Sequence, residues 1–287
     1  MLFLLSLTLA ILITVPGMYL LTRARLVSSA AEMLSTGFFL GYSLLPLVYL
    51  GLSQILPIAV IDLLYVGISI GSLYLLIGEA RKQHLPAWSP PLDRIQAYLV
   101  AIVLVLLFLI VLRELSVTID DDYFIHLPNI KRISMGDIPP HMPYFPETLL
   151  RGHIARDLLT GSIGRFLQLT PEISLIYVSL AACPFYILIF QTLASRLSGG
   201  NRIASFFTFV GLLFFISGAI GEYTIRAGCI TYVFNNTLLA CPHFAFIVWL
   251  FERCASEFTQ SIDGKLVPFI RSNKLRLTIC VLAYAGL

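Results

Sequence analysis

Long apolar runs decide the fold of this chain, and a representative one reads IAVIDLLYVGISIGSLYLLI, from Ile58 to Ile77. This run contains one charged side chain, Asp62. An α-helix rises about 1.5 Å per residue, so about 20 apolar residues cross the roughly 30 Å hydrocarbon core of a bilayer. The run therefore predicts a transmembrane helix.

Similar runs fill most of the 287 residues, of which 58% are hydrophobic and 12% charged, with a mean hydropathy of +0.88. Ordinary globular domains carry about 25% charged residues. The runs predicted to span a membrane are 1–22, 34–53, 57–78, 95–112, 173–195, 204–221 and 233–251, with an incomplete eighth at 275–287. We expect an all-α, polytopic transmembrane helical bundle that forms a single membrane domain, 1–287, and is an N-terminal fragment of a longer protein.

The distribution of basic residues predicts the orientation. Placing the connections after the first, third, fifth and seventh spans in the cytoplasm puts twelve of the nineteen Lys and Arg residues there, as the positive-inside rule favours. The N-terminus and the long loop 113–172 are then non-cytoplasmic. A net charge of +3 and the lack of a compact basic tract exclude a nucleic-acid partner.

The long polar loop carries the residues best suited to chemistry, beginning with Asp120, Asp121 and Asp122. Three adjacent carboxylates repel one another, which favours either protonation of one of them or a bound cation. The alternative is an acidic turn that caps the next helix. His126 follows Asp122 by one helical turn, so this pair could ligate a divalent metal ion, orient a sugar hydroxyl or form a surface hydrogen bond.

Gly136 is a predicted helix stop, and the prolines after it indicate a stiff segment that either walls a binding site or connects two elements. A second helix is predicted to begin at Pro146 and to lie in the membrane interface as an amphipathic helix. Its polar side would carry Arg151, Arg156, Asp157 and Arg165, with His153 one turn from Asp157. Arg151 and Arg156 could bind a lipid phosphate or bulk anionic lipid.

Polar and sulfur-containing residues inside the runs carry less information. Asp62 is close enough to the outer end of its run to reach interfacial water, and His243 follows the kinking residue Pro242. The five cysteines show no paired spacing, so they are interpreted as small buried hydrophobes that support neither a disulfide framework nor a zinc site.

Between Arg113 and Pro171 these features form a pattern. An acidic cluster beyond a span, a His four residues later, a Gly-x-Ile-Pro-Pro turn and an amphipathic helix resemble the first outward loop of the GT-C class of membrane glycosyltransferases. The likeness is greatest to the bacterial branch related to polyprenyl-phosphate-mannose-dependent transferases. The resemblance implies an enzyme of the bacterial inner (plasma) membrane that transfers a sugar from a polyprenyl-phosphate carrier to a lipid, glycan or protein acceptor.

The resemblance also implies roles for particular residues. A loop Asp acts as base or helps to hold a metal, which here indicates Asp120, Asp121 and Asp122, with the last two preferred. His126, Arg151, His153, Arg156 and Arg226 are the candidates for binding substrate or carrier. The arginines would offset the charge of the leaving phosphate, and a divalent metal ion could replace them.

Two other classes of function are compatible with the sequence. A non-enzymatic transporter or scaffold would use the outer loop only to gate or dock, and a transporter should carry ionisable or broken-helix sites at the bilayer midplane. An outer-face glycan polymerase or ligase would share the carrier and the topology.

Overall fold

The chain is mostly helical in its computed structural model. The structure describes residues 2–82, 98, 101–102, 105, 109, 121–142, 145–149, 154–199, 201–215, 240–260 and 273–285. The helices are α1 Leu2–Arg23, α2 Ala30–Leu52, α3 Ile58–Arg81, α4 Asp121–Ser134, α5 Ile154–Leu167, α6 Pro171–Leu197, α7 Arg202–Phe215, α8 Ala240–Gln260 and α9 Lys274–Ala285. Two short strands, β1 His141–Met142 and β2 Phe145–Leu149, pair in antiparallel orientation.

The helix α2 is the centre of the bundle, since it contacts α1, α3, α5, α6, α8 and α9. Its N-terminus is capped by Ser29, whose side chain accepts a hydrogen bond from the Glu32 N–H. The aromatic rings of Phe38 and Phe39 are fully buried, and Phe38 stacks on Phe185 of α6 with ring centroids 4.3 Å apart. Burial of these large rings makes α2 the helix around which the others pack.

Three glycines allow α1 and α2 to approach closely. A Cβ atom on Gly41 would overlap the carbonyl oxygen of Ile13, and one on Gly17 would overlap the carbonyl oxygen of Gly37. Gly37 and Gly41 are four residues apart, which puts both on the face of α2 that meets α1. Small residues at this spacing are typical of close helix pairs in membranes.

The helix α3 is polar inside and apolar outside. Its buried positions include Asp62, Tyr65, Ser69 and Ser72, whereas its exposed face carries large apolar residues such as Leu63 (71% exposed). Ionisable and polar residues of membrane helices face the bundle interior in the same way. Among the described residues, α2 and α3 are the two helices long and apolar enough to cross a membrane. Length and composition alone give weak support for membrane association. A buried core helix of a soluble protein can meet the same criterion, and α2 is mostly buried.

The predicted runs are helical wherever the structure describes them. α1, α2, α3 and α6 coincide with the first, second, third and fifth runs to within a few residues. The start at Pro171 is as predicted, with Thr170 as the N-cap. α7, α8 and α9 overlap the later runs, although 216–221 and 233–239 lie outside the described residues. The run 95–112 also lies outside them, except for the helical residues 98, 101, 102, 105 and 109.

One predicted helix boundary in the polar loop is wrong and another is confirmed. The helix expected from Pro146 begins at Ile154, because residues 145–149 form β2 and pair with β1; the fold is therefore not purely helical. The predicted stop at Gly136 is confirmed, since α4 ends at Ser134 and Gly136 has a φ of 93°.

The helix α5 does not present one polar face to the surroundings. Arg156 and Asp157 are 7% and 0% exposed, as buried as the apolar Leu158 and Leu159. Tertiary packing against α4, α6 and α2 surrounds this helix, which the local pattern of polar and apolar residues could not indicate. The exposed polar side predicted for this helix is therefore wrong for Arg156 and Asp157, whereas its location in a membrane interface stays a prediction.

Candidate functional site

A histidine and a carboxylate meet between α4 and α5. The Nδ1 atom of His126 lies 2.8 Å from Oδ2 and 3.0 Å from Oδ1 of Asp157. The Asp157 side chain is 1% exposed and the His126 side chain 16% exposed. The carboxylate is thus enclosed by protein, while the imidazole remains partly accessible.

A glycine on α5 brings the two helices together. A Cβ atom on Gly161 would lie 2.6 Å from Cγ2 of Ile133 and 3.0 Å from the carbonyl oxygen of Ile130, so a larger residue would push α4 away. Ile130 and Ile133 are themselves fully buried. Close packing on this apolar face fixes the separation of the helices and therefore the contact between His126 and Asp157.

Two further side chains surround the Asp157 carboxylate. The Nε atom of Arg156 lies 3.5 Å from Oδ1, and Nδ2 of Asn129 donates to Oδ2 across 3.4 Å. Arg156 balances the buried negative charge, which would be costly alone. The Oδ1 atom of Asn129 is buried and has no hydrogen-bond partner among the described residues. Asn129 is three residues from His126, so the two side chains lie on the same side of α4.

The geometry determines which nitrogen of His126 is available. An ionised carboxylate only accepts hydrogen bonds, so this contact favours the tautomer in which Nδ1 donates to Asp157. Nε2 is the nitrogen away from Asp157. A carboxylate that holds and orients an imidazole in this way is a common arrangement for proton transfer and for metal ligation.

A second histidine and carboxylate pair lies near the strands. Nδ1 of His141 is 2.9 Å from Oδ1 of Asp137, and Nε of Arg132 is 3.3 Å from Oδ2. Arg132 also donates to the His141 carbonyl oxygen across 2.8 Å. The Asp137 and His141 side chains are 30% and 38% exposed. These contacts join β1 to the end of α4, which is a structural role.

The interior also contains two ion pairs near opposite ends of α2. Arg165 of α5 forms an ion pair with Asp62 of α3, whose Oδ1 accepts a 2.6 Å hydrogen bond from Tyr49. Asp62 is 9% exposed, so the expectation that it reaches interfacial water is wrong. Near the start of α2, Glu32 accepts hydrogen bonds from Arg196 across 2.8 Å and from the Trp249 indole across 3.0 Å.

The predicted site residues divide into two groups. His126 and Arg156 both contact Asp157. The sequence pattern predicts Asp157 on the exposed polar side of α5, whereas the structure buries it. Asp121 and Asp122 begin α4, one turn before His126, but their side chains lie outside what the structure describes. Asp120, Arg151, His153 and Arg226 also lie outside the described residues. The metal prediction for Asp122 and His126 stays a prediction.

The contact between His126 and Asp157 has no signal in the sequence, because 31 residues and a turn-rich segment separate the two. Within the described part of the chain, no group of three or more His, Cys, Asp and Glu residues could hold a metal ion. No protein-family model, curated protein or solved structure matches the chain.

Proposed function

We propose that this protein is a membrane glycosyltransferase that transfers a sugar from a polyprenyl-phosphate carrier to a lipid, glycan or protein acceptor on the non-cytoplasmic face. The observation that carries the proposal is the partly accessible His126 imidazole held by the buried Asp157 carboxylate. Both residues belong to the segment that resembles the first outward loop of GT-C enzymes.

The proposal includes a membrane topology of seven spans and an eighth apolar segment at 275–287, in a bacterial plasma membrane. Its support is the overall hydropathy and the inverted polarity of α3, with Asp62 inside and large apolar residues outside. Prolines inside α1, α2 and α6 add to it, since transmembrane helices contain more proline than soluble ones. The segment from Asp121 to Leu167 would then face the non-cytoplasmic side.

The proposed chemistry uses the two ring nitrogens of His126 differently. Nε2 of His126 accepts the proton of the acceptor hydroxyl as its oxygen forms a bond to the anomeric carbon. The bond between that carbon and the phosphate oxygen breaks, and polyprenyl phosphate leaves with the electron pair. Asp157 stabilises the resulting imidazolium, and Arg156 adds positive charge near the leaving phosphate. Arg151, His153 and Arg226 remain proposed carrier contacts.

The resemblance proposes a different base, Asp121 or Asp122. Asp122 lies one helical turn before His126 on α4 and Asp121 one residue earlier, so either carboxylate could accept the proton while His126 binds the acceptor. The same resemblance also allows a third assignment, in which Asp122 and His126 hold a divalent metal ion. Substitutions of the histidine and of the carboxylates distinguish the proposed bases.

The test uses membranes that contain the full chain and a polyprenyl-phosphate mannose with a radiolabelled sugar. Transfer of label from the carrier is measured for wild type, His126→Gln and Asp157→Asn. General base catalysis is typically worth about 10²- to 10⁴-fold, so we expect losses of that size in both variants. Asp121→Asn or Asp122→Asn should reduce the rate of transfer by the same factor only if that carboxylate is the base.

The second histidine pair supplies the matched control. His141→Gln removes a histidine with the same kind of carboxylate partner, in a half-exposed structural position. We expect it to keep wild-type transfer within a few-fold. Wild-type rates for His126→Gln would exclude the assigned role. If the wild-type protein leaves every polyprenyl-phosphate hexose intact, a transporter or scaffold is favoured instead.

A further inference from the structure

Two cysteine side chains meet at the contact between α8 and α9. The Sγ atoms of Cys254 and Cys280 lie 3.5 Å apart, although the residues are 26 positions apart in sequence. Both are thiols in half-buried side chains. The interpretation of the five cysteines as small buried hydrophobes does not include this contact, which is formed by the packing of α8 on α9.

Each of the two helices carries an arginine close in sequence to its cysteine. Arg253 precedes Cys254, and its Nε donates to the Leu26 carbonyl oxygen across 2.7 Å. Arg276 is one helical turn before Cys280, and its Nε donates to the Ala24 carbonyl oxygen across 3.0 Å. Arg276 and Arg253 favour the thiolate of Cys254, the nucleophilic form, but the hydrogen bond with Cys280 and burial outweigh them and raise the pKa of the Cys254 thiol. The two thiols thus combine mutual contact with partial accessibility.

We propose that Cys254 and Cys280 form an oxidisable dithiol, which a low-molecular-weight disulfide such as oxidised glutathione converts into a disulfide between α8 and α9. One thiolate attacks a sulfur of the small disulfide, forming a mixed disulfide and releasing one small thiolate. The second cysteine thiolate attacks the protein sulfur of the mixed disulfide and releases the other. The cysteines are oxidised, and the two small thiolates that are released take up the two protons lost by the cysteines, so the small disulfide is reduced to two thiols.

The required movement is small. A disulfide needs a sulfur separation of about 2.05 Å, so the Sγ atoms, now 3.5 Å apart, must approach by roughly 1.5 Å. The bond would hold α9 on α8 and, through Arg276, on the connection between α1 and α2. In the predicted orientation this end of the bundle is cytoplasmic, where disulfides are typically transient and redox-sensing.

The test counts thiols in the purified full chain in detergent micelles. The protein is incubated with excess oxidised glutathione, denatured, and labelled with a maleimide that carries a polyethylene-glycol mass tag. We expect three of the five cysteines to react, and all five after reduction with dithiothreitol. Mass spectrometry of a non-reduced digest should identify one linked fragment containing Cys254 and Cys280.

Variants provide the specificity control. Cys254→Ser and Cys280→Ser should each abolish the linked fragment, whereas Cys183→Ser should retain it. Five reactive thiols in the oxidised wild type, a linkage between other cysteines, or glutathione retained on Cys254 or Cys280 without ring closure would overturn the proposal. The wild-type digest decides the question even where a variant folds poorly. None of these outcomes depends on whether the protein transfers a sugar.

Discussion

At the scale of single residues, Arg165 shows how the interior of this bundle accommodates charge. Its Nε donates to Oδ2 of Asp62 across 3.0 Å, its second terminal nitrogen binds Oδ1, and its first donates to the Ile133 carbonyl oxygen across 3.1 Å. Tyr49 completes the shell of Asp62. One side chain therefore connects α3, α4 and α5 and leaves neither charge of the pair isolated.

Removing one partner of this pair should be more harmful than removing both. Arg165→Met leaves the Asp62 carboxylate buried without its cation, and breaking a buried pair in this way typically costs about 3–5 kcal/mol. We expect a large drop in the thermal unfolding midpoint in detergent, partly restored in the double variant Asp62→Leu/Arg165→Met. Lys82→Met is the control, because Lys82 is 64% exposed in its pair with Glu79. Equal midpoints for Arg165→Met and Lys82→Met would contradict this account.

At the scale of elements, the contact between α1 and α2 depends on the missing side chains of Gly17, Gly37 and Gly41. Gly41→Ala should separate the helices, because its Cβ would overlap backbone rather than a movable side chain. Overpacking in a core costs about 1–3 kcal/mol. We expect a lower unfolding midpoint in detergent.

The matched control for Gly41 lies on α3. Nothing lies within 4 Å of a Cβ atom on Gly71, so Gly71→Ala should be neutral or stabilising, by up to about 1 kcal/mol from helix propensity. Retention of the wild-type midpoint by Gly41→Ala would show that α1 and α2 do not need this close approach.

Local signals and long-range contacts differ in how far they can be predicted. The helices over the described parts of the apolar runs, the stop at Gly136 and the start at Pro171 depend on neighbours within a few residues, and the sequence predicts them correctly. The strand that contains Pro146 depends on pairing with β1, which overrides a local helix-start signal.

Local sequence patterns do not predict which residues of different helices come into contact. His126 and Asp157 are 31 residues apart, Asp62 and Arg165 are 103 apart, and Glu32 and Arg196 are 164 apart. In an apolar bundle most buried positions look alike in sequence, so only the packing reveals which ionisable residues meet. For the same reason, the sequence does not predict the contact between the sulfur atoms of Cys254 and Cys280.

At the scale of the whole molecule, the predicted orientation can be tested at the two ends of α3. This helix has 24 residues, which at about 1.5 Å per residue exceeds the roughly 30 Å hydrocarbon core. Gln54 precedes it and Lys82 follows it, and both are exposed. If α3 spans the membrane with the basic end inside, these two positions lie on opposite sides.

Single cysteines at the two positions make the orientation measurable. In a chain whose native cysteines are replaced by serine, Gln54→Cys should react with a membrane-impermeant maleimide in intact cells, because the connection before α3 is predicted to be non-cytoplasmic. Lys82→Cys should react only after the membrane is permeabilised, since Arg81 and Lys82 favour the cytoplasmic side. Labelling of both positions in intact cells would show that α3 does not cross. The reverse pattern would invert the membrane topology and place the segment with His126 and Asp157 in the cytoplasm, which contradicts sugar transfer on the outer face.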